Sequence, residues 1–234
     1  MPFLGQSVVV SGSNTYVAAD QLTAINLAVT NAPGNKATVI PRYPVWPSIT
    51  KYTNDNGTFP AILPQYIWDS TTTDNQVRAF AARSGALGSL GSQVRMSVNL
   101  TVFSDNARIA RIDIYDFSGP SLTFVETLTP PVLTDGSLDA NTSLVETFPY
   151  NWQNIRIYHK QSSLLPSGGQ SGIIVSFTAV NYLGFSPPIT PGNPGLNALH
   201  TRGLYHIDAN RIDWYDPLMA DSEKEHKEPS AVLP

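Results

Sequence analysis

Gly172-Ile-Ile-Val-Ser-Phe-Thr-Ala-Val-Asn-Tyr-Leu-Gly-Phe185 is the stretch on which the fold turns. Ile173, Val175, Phe177, Ala179 and Leu183 recur at a period of two and define one apolar strand face. Ile174, Val180 and Tyr182 leave the opposite face half apolar, so it too needs a cover. A strand of this kind belongs inside a sandwich or barrel, as a central member of its sheet.

The cleanest alternation elsewhere runs from Val94 to Val102, where Val94, Met96, Val98, Leu100 and Val102 interleave with Arg95, Ser97, Asn99 and Thr101. The turn Ser104-Asp-Asn106 and a return with Ala110, Ile112 and Ile114 inward predict a hairpin. Further strands are expected over 122–128, 144–148 and 155–159, with turn clusters spaced roughly ten residues apart. The fold class read from this pattern is all-β: a β-sandwich of jelly-roll type with one short helix and a long excursion.

Residues 1–6 read as an N-terminal arm, and 7–185 as the sandwich, with an excursion over 41–93. Asp20 to Asn31 fits either element; alternation of Ile25, Leu27 and Val29 favours a strand, against the helix that Asp20 could cap. The single helix is expected from Asp74 to about Arg83, with Val77, Phe80 and Ala81 on one face and Gly85 ending it. Gly85, Gly88 and Gly91 then read as a connector. Residues 186–216 read as a Pro-rich crossover and a small hairpin, 204–208 with 211–215. Residues 217–234 carry six charges within Asp221–Glu228 and read as a solvated tail.

The surface chemistry is unusual. Charged residues make up only 14% of the 234, hydrophobic ones 41%, and the net charge is -4. Average soluble domains carry roughly 25% charged residues. Little like-charge repulsion holds copies apart, which favours association. With 14 Lys+Arg against 18 Asp+Glu there is no basic stripe, which argues against nucleic acid as the main partner. No cysteine is present, so disulfides and thiolate chemistry are excluded. No apolar run approaches the ~20 residues of a membrane span, and no signal-peptide pattern follows Met1. Asn56, Asn99 and Asn141 head glycosylation triplets that an Asn/Thr-rich chain produces by chance.

Catalytic signatures are sparse. The four histidines, His159, His200, His206 and His226, accompany no Gly-x-Ser-x-Gly elbow. His206 and Asp208 share a strand face, the minimum for a metal pair, without an identifiable second pair. Asp113, Asp116, Glu126 and Glu146 are the carboxylates available to a glycosidase-like pair. Asp135, Ser137, Asp139, Asn141 and Glu146 fall on the oxygen-ligand positions of a calcium loop, but Ala140 occupies the position where the sharp turn wants Gly. Trp46, Tyr66 and Trp68 in the excursion could stack on sugar rings, although large aromatics are more often packed against the sheets or into a subunit contact. No cofactor motif is found. The expectation is a non-enzymatic structural subunit that assembles with copies of itself or other coat subunits into a coat, capsid or fibre, on a virion or a cell or spore surface. The alternative is a carbohydrate-binding module or adhesin that takes a glycan on Trp46, Tyr66 and Trp68.

Overall fold

The computed structural model describes residues 7–41, 64–71, 76–88, 93–105, 108–128, 133–134, 138–139, 143–144, 156–181 and 202–214. In chain order these form β1 (Ser7–Val10), β2 (Tyr16–Ala18), α1 (Gln21–Thr30), β3 (Thr38–Val39), β4 (Ile67–Trp68), β5 (Gln76–Arg83), β6 (Leu87–Gly88) and β7 (Val94–Asp105). There follow β8 (Arg108–Asp116), β9 (Thr123–Thr127), β10 (Leu133–Thr134), β11 (Leu138–Asp139), β12 (Ser143–Leu144), β13 (Arg156–Gln161), β14 (Gln170–Asn181) and β15 (Arg202–Trp214). The expected arm over 1–6 and tail over 217–234 lie outside the described residues.

Two antiparallel sheets carry the fold. One runs β13-β7-β15-β4-β3, with β1 also on β15; the other runs β10-β8-β14-β5-β2, with β9 also on β8. Among the described residues, number β4, β5, β7, β8, β10, β13, β14 and β15 from one to eight. The first sheet then reads first-eighth-third-sixth and the second reads second-seventh-fourth-fifth. This is the interleaved arrangement of a jelly roll.

The stretch that opened the reading is β14, hydrogen-bonded to β8 on one side and β5 on the other. Ile173, Val175, Phe177 and Ala179 enter the core between the sheets, beside Met96, Val98, Leu100 and Val102 of β7 and Ile112 and Ile114 of β8. Phe177 stacks on Phe80 with ring centroids 4.8 Å apart. Leu183 and Phe185 lie outside the described residues.

The cover for its second face is α1. Ala24, Ile25 and Ala28 close over Ile174, Ala79, Ala81 and Tyr115 in a second apolar cluster. The expectation of a strand over 20–31 is therefore overturned, and so is the helix expected over 74–83, whose described residues 76–83 form β5. The physical reasons are local. Asp20 caps α1 by accepting from the Thr23 N–H at 2.9 Å and the Thr23 hydroxyl at 2.7 Å. Asn31 closes it in the left-handed region at φ 49°. In β5, Ala79 and Ala81 are buried under α1 while Phe80 and Ala82 are buried in the main core. A strand covered on both faces loses the alternation that would announce it.

Two hairpins also give way. β7 and β8 do not pair: they sit in different sheets and face each other across the core, because alternation defines a core face without naming the sheet. Residues 202–214 are one strand along β7, and Ala209-Asn210 is the site of a register shift between Asp208 and Arg211 rather than a turn. A β7 strand of 12 residues supplies partners along its whole length, so a bulge absorbs the break.

Candidate functional site

Two of the three sugar-stacking candidates are core residues. Trp68, 1% exposed, lies against Phe80 and donates its indole N–H to Gln76 Oε1 at 2.9 Å. Tyr66, 7% exposed, meets Phe103 edge-on at 6.0 Å. Neither presents an open ring face, so the expected platform of Trp46, Tyr66 and Trp68 is not assembled from them; Trp46 lies outside the described residues. Of the calcium-loop candidates, Asp139 sits on β11 opposite Ser143 of β12. Asp135, Ser137, Asn141 and Glu146 lie outside the described residues. No group of three metal-ligating acids or histidines occurs among the described residues.

The other carboxylates are engaged locally. Asp113, fully buried on β8, accepts from Arg111 Nε at 2.8 Å and from the Thr127 hydroxyl at 2.6 Å, while its Oδ2 has no partner. Beside it, burial and then the Asp113 charge raise the Tyr115 phenol above its ordinary value, with Arg111 pulling the other way. Asp116 is held below the usual carboxylate value by the side chain and then the backbone of Ser118. Asp69 and Arg78 form an ion pair in a cleft of about 230 Å³ lined also by Val17, Ala18, Ala19 and Asn35. Burial alone would raise the Asp69 carboxyl; the Arg78 hydrogen bond, the Ser70 N–H and the Arg78 charge outweigh it and hold the group low.

His159 lies within β13, not at its end as the sequence suggested. Its Nδ1 is 2.8 Å from Asn99 Oδ1 and its Nε2 is 3.4 Å from Ser97 Oγ. Ser97 is 3% exposed, so this chain of groups ties β13 to β7 and does not present a hydroxyl to solvent. The same contact occupies the Asn99 side chain, the one glycosylation triplet among the described residues.

What the described surface does offer is a flank where both sheets end. β13 ends the first sheet, and β9 lies at the end of the second. Glu126 of β9 bridges them by accepting from the N–H and the hydroxyl of Ser163, just after β13, both at 2.8 Å. Large apolar side chains of these two strands are exposed, each on the outer side of its own sheet: Ile157, opposite Thr101, is 60% exposed, and Phe124, against Tyr115, is 50% exposed, with the bulged Val125 at 39%. The two edges differ. β9 carries a register shift between Ile114 and Tyr115 of its partner, with Val125 as the extra residue, and places Glu126 opposite Ile114. A bulge and a charge on the core-facing side are devices that blunt an edge. β13 runs in unbroken register with β7 over all six residues, Arg156↔Val102 to Gln161↔Ser97. Period-two patterning announced these strands; which of them would be edges depends on sheet order, to which local sequence is blind.

No family model and no curated protein matches this sequence. Among solved structures it is similar to TmCBM61 in complex with beta-1,4-galactotriose, at TM-score 0.30 and 9% identity over 88% of each chain. It is also similar to the PA14 domain of the MpAFP antifreeze protein, at TM-score 0.24 and 10% identity over 92% of this chain and 89% of that one. A third likeness is to a chain of the infectious bursal disease virus Gx strain, at TM-score 0.22 and 14% identity over 94% of this chain and 66% of that one. All three likenesses are loose and assign no function.

Proposed function

We propose that this protein is a non-enzymatic structural subunit, a jelly-roll building block that associates with copies of itself into a coat, capsid or fibre at the surface of a virion, cell or spore. The observation that carries this reading is the flank formed by β9 and β13. There the two sheets end together, and Phe124, Val125 and Ile157 stand exposed on edge strands. Exposed apolar groups on strands that end their sheets among the described residues favour lateral contact. The low charge supports association, since only 14% of residues are charged and the net charge is -4. The carbohydrate-binding alternative loses support from the burial of Tyr66 and Trp68.

Light scattering across a wide concentration range, with electron microscopy of the same samples, tests the reading. The expected outcome is mass that grows with concentration and ordered particles or filaments. A monomer throughout that range overturns it.

A further inference from the structure

The face of the second sheet that lies beneath α1 carries a polar junction whose packing leaves two atoms unsatisfied. Ile112 and Ile114 of β8, and Ile173, Val175 and Phe177 of β14, enter the core between the sheets. Their neighbours Arg111, Asp113 and Tyr115, and Ile174 and Ser176, therefore share the opposite face, the one that α1 covers at Ile174 and Tyr115. Asp113 and Ser176 are both 0% exposed, and among the described residues Asp113 Oδ2 and Ser176 Oγ have no hydrogen-bond partner. A buried donor or acceptor left in that condition forfeits the hydration it had in the unfolded chain. Here two such atoms stand on neighbouring strands.

The register fixes how they stand to one another. Asp113 lies opposite Ile174 and Arg111 opposite Ser176, so Asp113 and Ser176 are diagonal neighbours on one face. Diagonal positions of an antiparallel pair lie roughly 7–8 Å apart. The short side chains of Asp and Ser close only part of that distance, and the remainder is the span of one bridging water. The other groups of the junction are committed elsewhere. Arg111 gives Nε to Asp113 Oδ1 and Nη2 to the Thr127 hydroxyl, and that hydroxyl donates to the same Oδ1. Thr127 stands opposite Asp113 on β9, so Oδ1 is engaged on the side of β8 away from β14. On its other side Ser176 is paired with Ala81 of β5, whose side chain has nothing to donate or accept. The Arg111 guanidinium already balances the Asp113 charge, which favours a neutral ligand over a metal ion. We propose that Asp113 Oδ2 and Ser176 Oγ together hold one buried water between β8 and β14, which donates to the carboxylate and bonds to the hydroxyl as a fixed part of the sheet beneath α1. The site lies within one chain and is independent of self-association.

Crystals of the full-length chain, at a resolution that shows ordered water, test this directly. The expected result is a density peak within about 3.2 Å of both Asp113 Oδ2 and Ser176 Oγ. Ser176→Ala gives a second readout in solution. With the water in place, the variant strips it of one partner, and the melting temperature falls by about 2–4 °C. A hydroxyl with no partner behaves in the opposite sense, because its removal relieves an unsatisfied buried group and leaves the melting temperature unchanged or raised. Magnetic relaxation dispersion of the solvent, which counts long-lived internal waters, should show one fewer in the variant. A missing peak, a peak bonded to only one of the two atoms, or a direct bond between them overturns the proposal whatever the melting temperature does. So does a Ser176→Ala variant that melts no lower than the wild type or keeps the same number of long-lived waters.

Discussion

Trp68 donates its indole N–H to the side-chain oxygen of Gln76 at 2.9 Å inside the core, where Trp68 is 1% and Gln76 7% exposed. The bond turns an aromatic of the expected excursion over 41–93 into a fastener between β4 of one sheet and β5 of the other. Gln76→Leu keeps the volume but leaves a buried N–H without its acceptor, which costs about 1–3 kcal/mol. Urea unfolding should show a lower midpoint with the slope unchanged. Because the Trp68 ring is buried, added soluble glycans should leave its contribution to fluorescence unmoved.

Asp113 makes a further buried polar junction, with Arg111 and Thr127. Removing the carboxylate by Asp113→Ala strands Arg111 and the Thr127 hydroxyl. With the Arg111 side chain 28% exposed, water recovers part of the loss, and the expected cost is about 2–3 kcal/mol. Thr127→Val removes two bonds, the one donated to Asp113 Oδ1 and the one accepted from Arg111 Nη2 at 3.2 Å, and should cost about 1–2 kcal/mol. A double-mutant cycle of the two, read by thermal unfolding, should show coupling, because both act on Asp113 Oδ1.

The contrast between β14 and the pair α1 and β5 shows what local sequence could convey. β14 was legible because one face enters the main core and alternation survives. α1 and β5 exchanged identities because each hides the other's signal: α1 covers Ala79 and Ala81, so β5 reads as a continuous alanine-rich run, and the short α1 stripe of Ala24, Ile25 and Ala28 overlaps an accidental alternation of Ile25, Leu27 and Val29. The cap at Asp20 was the better guide, since it names a hydrogen bond rather than a period. Sheet membership of β7 and β8, and the exposed flank, arise from contacts between distant segments that no local window contains.

The cap can be tested directly. Asp20→Ala removes the acceptor for the Thr23 N–H and should cost about 1 kcal/mol. Because α1 covers Ile174, fraying should also raise binding of a hydrophobic dye. Asn31→Gly, at φ 49°, relieves the backbone but removes the acceptor of the Tyr16 hydroxyl at 2.9 Å, so a net loss of about 1 kcal/mol is expected.

Asp69 links the fold to pH. Its carboxyl titrates below the ordinary value of 3.8 in the folded chain, so its contribution to stability is complete above that value and is withdrawn as pH falls toward the folded pKa. Arg78→Gln removes the hydrogen bond and charge that outweigh burial, so the Asp69 carboxyl should move upward. Stability measured between pH 5 and pH 2, a range of ordinary carboxylate titration, should fall less steeply in the variant. An unchanged slope would mean that the ion pair contributes nothing to folding.

Gly172 stands at the start of the strand on which the fold turns, and its lack of a side chain is a packing requirement. A Cβ there would lie 2.6 Å from two ring carbons of Phe117 and 2.9 Å from Ser84 Oγ. Neither neighbour is free to retreat: Arg83 lies over the Phe117 ring at 5.1 Å, and the Ser84 hydroxyl accepts from the Ile173 N–H at 2.9 Å. Gly172→Ala must therefore push Phe117 outward or pull β14 away from Ser84, at a cost of about 1–3 kcal/mol. Thermal unfolding measures that cost. Pairing the change with Phe117→Leu, which vacates the ring carbons, should recover most of it, whereas a loss that persists in the double variant would place the strain at Ser84 and the β14 backbone.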